Sequence, residues 1–408
     1  MTAFAFDDPD HYVNGTPHEA FSRLRKEAPL AWHASSQQRA TGFWLVTRHE
    51  HIVAISKNPK LFATHSPLLG DPIPRPLWPV YPALAMIADN LVTFDHQKHP
   101  AFRSLANSLF STAKLAEMED RIRAACVEIL ARVADRDQFD FANDVALEVP
   151  VKVILGQFLG IPDPDLAKLT RIVLTINAMD DPFYSPRQDA MWKAAEELSA
   201  YGLDLFRRMQ SAPVSGLMNE LIWSRRLDGV SQQQLFIAYW FPLAAGAFDT
   251  TAATIAGGVR ALLHFPDQLA RLRDDPRLVP RAVDEMLRWV SPVIYFRRTA
   301  TADTVIEGHA IKEKQRVVLC YASANRDEAV FRDPGTFDLG REPNPHVSFG
   351  YGPHFCLGAR LAMLVIRVFF EEYVRRVPAL QLAAPVIHTR SAWMNRIRSM
   401  PVRRSSER

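Results

Sequence analysis

Cysteine is scarce: the 408 residues hold three, Cys126, Cys320 and Cys356, far apart and odd in number. That excludes a disulfide framework and a four-cysteine zinc site within one chain. Surplus charge is missing too, since 48 Lys and Arg stand against 45 Asp and Glu, a net +3. So even a balance makes no general case for nucleic-acid binding, and the basic end, PVRRSSER, reads as a solvated tail. The first residues, MTAFAFDDPD, are acidic and lack the basic-then-apolar order of a signal peptide. The longest uncharged run, Ser231 to Phe248, is polar at its start and interrupted by Pro242, which falls short of a membrane span. No internal repeat, low-complexity tract or linker divides the chain. The expectation is one cytoplasmic domain over residues 1–408, with no membrane and no nucleic acid as partner.

What is present is mainly helical periodicity, with apolar residues at 48% to fill a large core. Thr16-Pro17-His18-Glu19 reads as a helix start, with a threonine cap, a first-turn proline and a glutamate closing the box. Thr47 and Glu50 read as the cap of the next helix, after a strand at 42–47, GFWLVT. Helical periodicity follows at 95–112, 114–135, 141–158, 164–179 and 188–211. Two strand-like runs, TVIEG and RVVLCYAS, lie further on. The fold class is thus mainly α with small β-sheets. Two irregular stretches stand out: 65–92, rich in proline with Trp78, Tyr81 and Met86, and the break NAMDDPFYSPR at 177–187. The first reads either as a lid over an apolar pocket or as an ordinary packed loop.

Ser231 and Gln234 predict the cap of one long helix to about His264, about 50 Å at 1.5 Å per residue. Its centre, AAGAFDTT, is unusual for a packed helix. Gly246 lets something approach the backbone, and Thr250, four residues on, can bond the glycine carbonyl and bend the helix. Asp249 beside it suggests a proton relay, against a plain Ser/Thr kink.

The run FGYGPHFCLGARLA, Phe349 to Ala362, sets Cys356 in a glycine-punctuated loop just before an amphipathic helix. Unpaired N–H groups and the helix dipole there favour thiolate over thiol. A thiolate in an apolar shell is a soft ligand for iron or a nucleophile. A buried structural cysteine is the bland alternative. Upstream, Glu285 and Arg288 stand three apart on one helical face and can pair.

Taken together these residues resemble the cytochrome P-450 superfamily, the haem-thiolate monooxygenases, in its soluble bacterial form. The cysteine loop matches F-G-x-G-x-H-x-C-x-G-x-x-L-A at every fixed position, and E-x-x-R and a FDLGR meander precede it. The resemblance implies the fold of that family, a long central helix over the haem, and haem b (iron protoporphyrin IX) with Cys356 as axial metal ligand. It implies a Glu285, Arg288 and Arg341 triad bracing the haem-side loop, and Asp249 and Thr250 as the catalytic acid–threonine pair. Propionate partners would be His99, Arg103, Arg298, His346 and His354, with Phe349 and Gly358 also against the cofactor. The substrate pocket would take Trp78, Ala245, Gly246, Phe248, Ile294, Phe296, Trp393 and Met394, with Arg75 and Arg396 as possible carboxylate anchors. One departure is Ala247, where the family usually has glycine; it would narrow the distal groove.

The implied reaction inserts one atom of O2 into a hydrophobic small molecule such as a terpenoid, steroid or alkyl-aromatic compound. NAD(P)H electrons would arrive indirectly, through a separate ferredoxin (or flavodoxin) and its reductase, steered by cations such as Arg103, Arg360 and Arg367 on a monomer. Two competing readings remain. A haem sensor or carrier would keep Cys356 without needing Asp249-Thr250, and a cysteine hydrolase would be colourless and alkylated by iodoacetamide.

Overall fold

Two helices set end to end, Gln232–Gly246 and Phe248–His264, run through the middle of the molecule. The computed structural model describes residues 4–35, 42–64, 89–187, 189–211, 216–224 and 226–405. Most of the expected 65–92 lid, with Arg75 and Trp78, lies outside the described residues.

The single long helix read from the sequence is therefore two, parted at Ala247. Three threonines explain the break, because each turns its hydroxyl back onto the carbonyl four residues earlier. Thr250 Oγ1 donates to Gly246 O at 3.1 Å, Thr251 to Ala247 O at 3.0 Å and Thr254 to Thr250 O at 2.9 Å. Pro242 adds to this. It has no N–H to give Ala238, whose carbonyl instead accepts Leu91 N–H at 2.9 Å and ties in the chain that enters from residue 89.

The Ser231 cap holds as a full capping box: Ser231 Oγ accepts from Gln234 N at 3.2 Å and Gln234 Oε1 from Ser231 N at 2.9 Å. The other two caps do not form. The His18–Glu27 helix has Pro17 in the cap position, and the Thr16 hydroxyl is buried without a partner. Thr47 donates instead to Pro29 O at 3.1 Å, and the His49–Ser56 helix takes its cap from Asp327, whose Oδ2 accepts His49 N–H at 2.9 Å. A cap supplied from 278 residues away has no local sequence signal.

Around the central pair pack Glu119–Arg132, Asp163–Asn177, Ala190–Ser211, Val279–Val290 and Ala359–Arg376, sharing one apolar core. The 142–158 stretch is largely π-helical, in two runs, Ala142–Leu147 and Val151–Phe158. The main sheet has five strands in the order Leu30–His33, Phe43–Val46, Arg316–Cys320, Tyr295–Ala300, Phe62–Ala63. Its one parallel step aligns Trp44 with Val317, and Tyr295 lies opposite Cys320 on the antiparallel side. Among the described residues no single helix is long and apolar enough to cross a membrane. The bent pair 142–158 and 163–177 passes on length and composition alone, and its Val153, Leu155, Ile172 and Val173 are buried in the core.

Candidate active site

The cysteine loop and the helix break face each other across one cavity. Ala245, Gly246, Ala247, Thr250, Thr251 and Thr254 form one wall, and Phe349, Cys356, Leu357, Gly358, Leu361 and Ala362 the other. Leu91, Val293, Phe296, Trp393 and Met394 close the sides.

The loop is shaped by backbone constraints. Cys356 N–H donates to Phe349 O at 2.9 Å, closing it on itself. Gly352 has φ +74° and sits so close to the end of the His49–Ser56 helix that a Cβ would fall 2.2 Å from the Ser56 carbonyl oxygen. A Cβ on Gly358 would stand 4.0 Å from Cys356 Sγ, and one on Gly246 would meet nothing within 4 Å, so each wall has one point where bare backbone faces open space. The sulfur is open to the cavity yet ringed by protein. Burial pushes the thiol up, and the Gly358 N–H, the Arg103 cation and the Ala359 N–H pull the other way. The helix-end preference for thiolate is therefore outweighed in the protein alone, a direction that a coordinated metal cation reverses.

Cationic and imidazole groups gather at one edge. His99, Arg103, Arg298 and His354 all line the cavity, with the two histidine rings 4.1 Å apart. Burial and the Arg103 cation hold His99 down at about 4, and burial with Arg298, His99 and Arg103 depresses His354 further. Neither Arg103 nor Arg298 pairs with a carboxylate among the described residues; they reach Asn107 Oδ1 at 3.2 Å and Arg297 O at 2.9 Å. An apolar slot with a soft sulfur donor at its centre and uncompensated cations at one edge fits a flat apolar group bearing carboxylates, which is the chemistry of haem.

Glu285 is the hub of a buried network behind the loop. Arg288 donates to it bidentately, Nε and Nη2 each at 2.7 Å, and both side chains are 0% exposed. Arg341 Nε, Asp338 N and Asn344 Nδ2 add bonds at 3.0, 2.9 and 3.2 Å. Asn325, which no sequence signal marked, carries the network into the cysteine loop: its Nδ2 reaches Ser291 and Ser348, and its Oδ1 accepts Val347 N–H, all at 2.8 Å.

Asp249 does not line the cavity. It is 1% exposed, with Asn177 Nδ2 donating to Oδ2 at 3.1 Å. Arg396 Nε lies 2.9 Å from Oδ1, an ion pair too poorly angled for a hydrogen bond, so that Oδ1 has no donor. Arg396 is thereby committed to Asp249 and to the face of the Tyr184 ring, 5.0 Å away, rather than free to anchor a substrate carboxylate.

Three expected contacts are corrected. Phe248, two residues and so about half a turn beyond Gly246, is fully buried in the core on the far side of its helix. Ile294 precedes the regular strand at Tyr295–Ala300, and its side chain joins the core around Phe6, Phe21 and Phe43 while Val293 lines the cavity. His346 also lies outside the cavity. Its Nε2 stands 3.4 Å from Asp284 Oδ1, and its Nδ1 accepts Ser348 N–H at 3.3 Å. Of the proposed steering cations, Arg367 is held by Glu119 at 2.6 Å and Glu371 at 2.7 Å, whereas Arg360 is exposed.

Comparison with known proteins agrees with this geometry. The family pattern described as Cytochrome P450 matches residues 83–377. Cytochrome P450-terp of a Pseudomonas species is 34% identical over 95% of this chain and 93% of its own length. Linalool 8-monooxygenase of Pseudomonas putida is 32% identical over 97% of both chains. The solved Mycobacterium marinum cytochrome P450 CYP268A2, in complex with pseudoionone, superposes with a TM-score of 0.87 at 29% identity, covering 99% of this chain and 100% of that one. Matched by that family over residues 83–377 and by these relatives over nearly its whole length, the chain belongs to the cytochrome P450 superfamily and is an oxidoreductase of its haem-dependent monooxygenase class.

Proposed function

We propose that this chain inserts one atom of O2 into a hydrophobic small molecule of the terpenoid, steroid or alkyl-aromatic class. NAD(P)H electrons reach it through a separate ferredoxin or flavodoxin and its reductase. The observation that carries this reading is Cys356 and Thr250 on opposite walls of one apolar cavity, with cations at its edge that pair with no carboxylate among the described residues. Cys356 Sγ would be the iron ligand, and Arg103, Arg298, His99 and His354 would hold the propionates. When bound, haem supplies dioxygen activation, to which a thiolate ligand contributes electron density.

The remaining work falls to side chains. Thr250 Oγ1, half-buried at the cavity wall, holds a proton that can turn from the Gly246 carbonyl toward the cavity. Asp249 Oδ1, the oxygen without a donor, is the group behind it that can pass protons on. Behind it Asn177 and Arg396 hold the carboxylate in place. Replacing Thr250 by alanine should leave haem content intact while product formed per NADH falls about a hundredfold, the low end of the ~10²–10⁴ contributed by a positioned proton donor. The lost electrons should appear as hydrogen peroxide, and unchanged coupling would reject the relay.

The walls near the distal threonine are apolar, so binding should rest on buried carbon surface. The relative named for linalool and the neighbour solved with pseudoionone support a branched, hydrophobic substrate. Titration of a compound library should give low- to high-spin shifts of the Soret band with such molecules. A result in which only short polar acids shift it would overturn the substrate class. For the redox partner, exposed Arg360 beside the cysteine loop is the steering cation this reading favours.

A further inference from the structure

A second cavity, of about 600 Å³, lies further along the Phe248–His264 helix, toward its C-terminal end, and among the described residues shares no lining residue with the first. Its walls come from the start of the His18–Glu27 helix, the ends of the Phe248–His264 and Val279–Val290 helices, Arg326, and the 380–397 segment. Arg260, Arg326, His18, His264 and His388 line it, and among the described residues no Asp or Glu does.

The polar groups there are short of acceptors. Arg260 Nη1 is 2.7 Å from His388 Nε2; since arginine can only donate, Nε2 accepts and the His388 proton sits on Nδ1. That Nδ1–H is buried with no partner, and so is Arg326 Nε–H; each of the two side chains is 8% exposed. The Thr16 hydroxyl and His18 Nδ1 are likewise buried and unpartnered. Buried donors normally find an acceptor, and several left over in one place point to a missing one. Arg326 does feel Glu285, but that carboxylate is already engaged by Arg288 and Arg341. Burial accordingly holds Arg326 down at about 9 and His388 at about 4, the direction a bound anion would relieve. Apolar wall comes from Leu263, Val290 and Leu380, with the Trp289 ring under the Arg326 guanidinium at 3.6 Å, and Asn14, Gln381 and Asn395 add neutral amides.

We propose that this cavity binds an organic oxyanion, a carboxylate or phosphate ester carried on an aromatic or other apolar body. The anionic end would lie between Arg260 and His388 with Arg326 behind, in the bonding guanidinium groups favour with oxyanions. The apolar end would replace water against the leucines and valine. This ligand is separate from the oxygenation substrate, because the two cavities have no lining residue in common among the described residues.

The test is calorimetric titration of 2-naphthoate and of 2-naphthyl phosphate into the haem-loaded protein, with a saturating azole filling the cavity at Cys356. Saturable one-to-one binding of either anion is expected, the tighter one identifying the head group, with neutral 2-naphthamide giving none. In Arg260→Gln, an exposed position where the fold should be kept, the dissociation constant should rise at least tenfold. In the wild-type protein with labelled histidine, the His388 ring resonance should move on adding either anion. Absence of saturable heat with both anions, equal binding of the amide, or an unchanged constant in Arg260→Gln would overturn the proposal.

Discussion

Replacement of Cys356 by serine is expected to abolish the thiolate-type spectrum of the reduced carbon monoxide complex and, with it, monooxygenase turnover. A serine hydroxyl is nearly the size of the thiol but is a hard donor that stays protonated, so it cannot give iron the electron density a thiolate does. The fold should survive. The side chain faces the cavity rather than the core, and its backbone bond to Phe349 O is kept by any residue at this position. Equilibrium unfolding should therefore shift by no more than about 0.5 kcal/mol, the usual range for a substitution outside the packed interior. The combination separates a ligand from a structural cysteine, since a structural one would cost stability and leave the spectrum alone. Cys126 and Cys320 supply the contrast within the same chain. Both are fully buried, burial pushes both thiols up to about 12, and neither lines the cavity. A Cys356→Ser protein that kept the thiolate-type spectrum would remove Cys356 from the role of ligand.

Legibility in the sequence followed the range of the interactions. The Ser231 capping box, the Glu285–Arg288 spacing, and the reach from Thr250 to Gly246 are contacts over three or four residues, and each is found in the structure as read. The Phe349–Ala362 loop was legible because its glycines answer to a nearby backbone, as the Ser56 carbonyl against Gly352 shows. Contacts over longer range were not. Asp327 replaces Thr47 as a helix cap, Arg396 crosses 147 positions to Asp249 (396 − 249), and Asn325 ties the Val279–Val290 helix to the cysteine loop without a local pattern. The side-chain face was misread where an element's edge was misplaced. Ile294 falls before the strand that sets the alternation of Phe296 and Arg298, and Phe248 falls across the helix from Gly246.

The Asp249–Arg396 pair changes how the distal side is understood. From the sequence, Asp249 is a polar group on the cavity helix with a direct line to water, and Arg396 a cation free to greet a substrate acid. In the structure each satisfies the other imperfectly: Oδ1 and Arg396 Nη1 both lack a hydrogen-bond partner. Breaking a buried pair is costly because it strands a charge, yet this one is already loose in angle. It is held from behind by Asn177, which also bonds the Ala245 carbonyl at 3.0 Å and so fixes the helix break itself. The pocket floor and the proton path are thus anchored by the same asparagine.

Glu285→Ala should be the most destabilising single change in the chain. Removing the carboxylate leaves the Arg288 guanidinium, 0% exposed, without its two 2.7 Å bonds, and leaves Arg341 Nε, Asp338 N and Asn344 Nδ2 short of an acceptor as well. Breaking one side of a buried ion pair costs about 3–5 kcal/mol, a large share of the ~5–15 kcal/mol by which domains are stable. The damage should be directed, because Arg288 also bonds the carbonyls of Asn325, Pro334 and Thr336, and Asn325 in turn holds Val347 and Ser348 at the head of the cysteine loop. Haem retention should therefore fall along with the denaturation midpoint. Glu285→Gln keeps the shape and one acceptor oxygen but turns an N–H pair toward the guanidinium, and should lie between alanine and wild type in both measurements. Asp303→Ala, which breaks an exposed pair with Lys312, should change neither. If Glu285→Ala unfolded at the wild-type denaturant concentration with a full haem load, the network would be a passenger, and the loop's glycines and its Cys356–Phe349 bond would have to hold the sulfur in place alone.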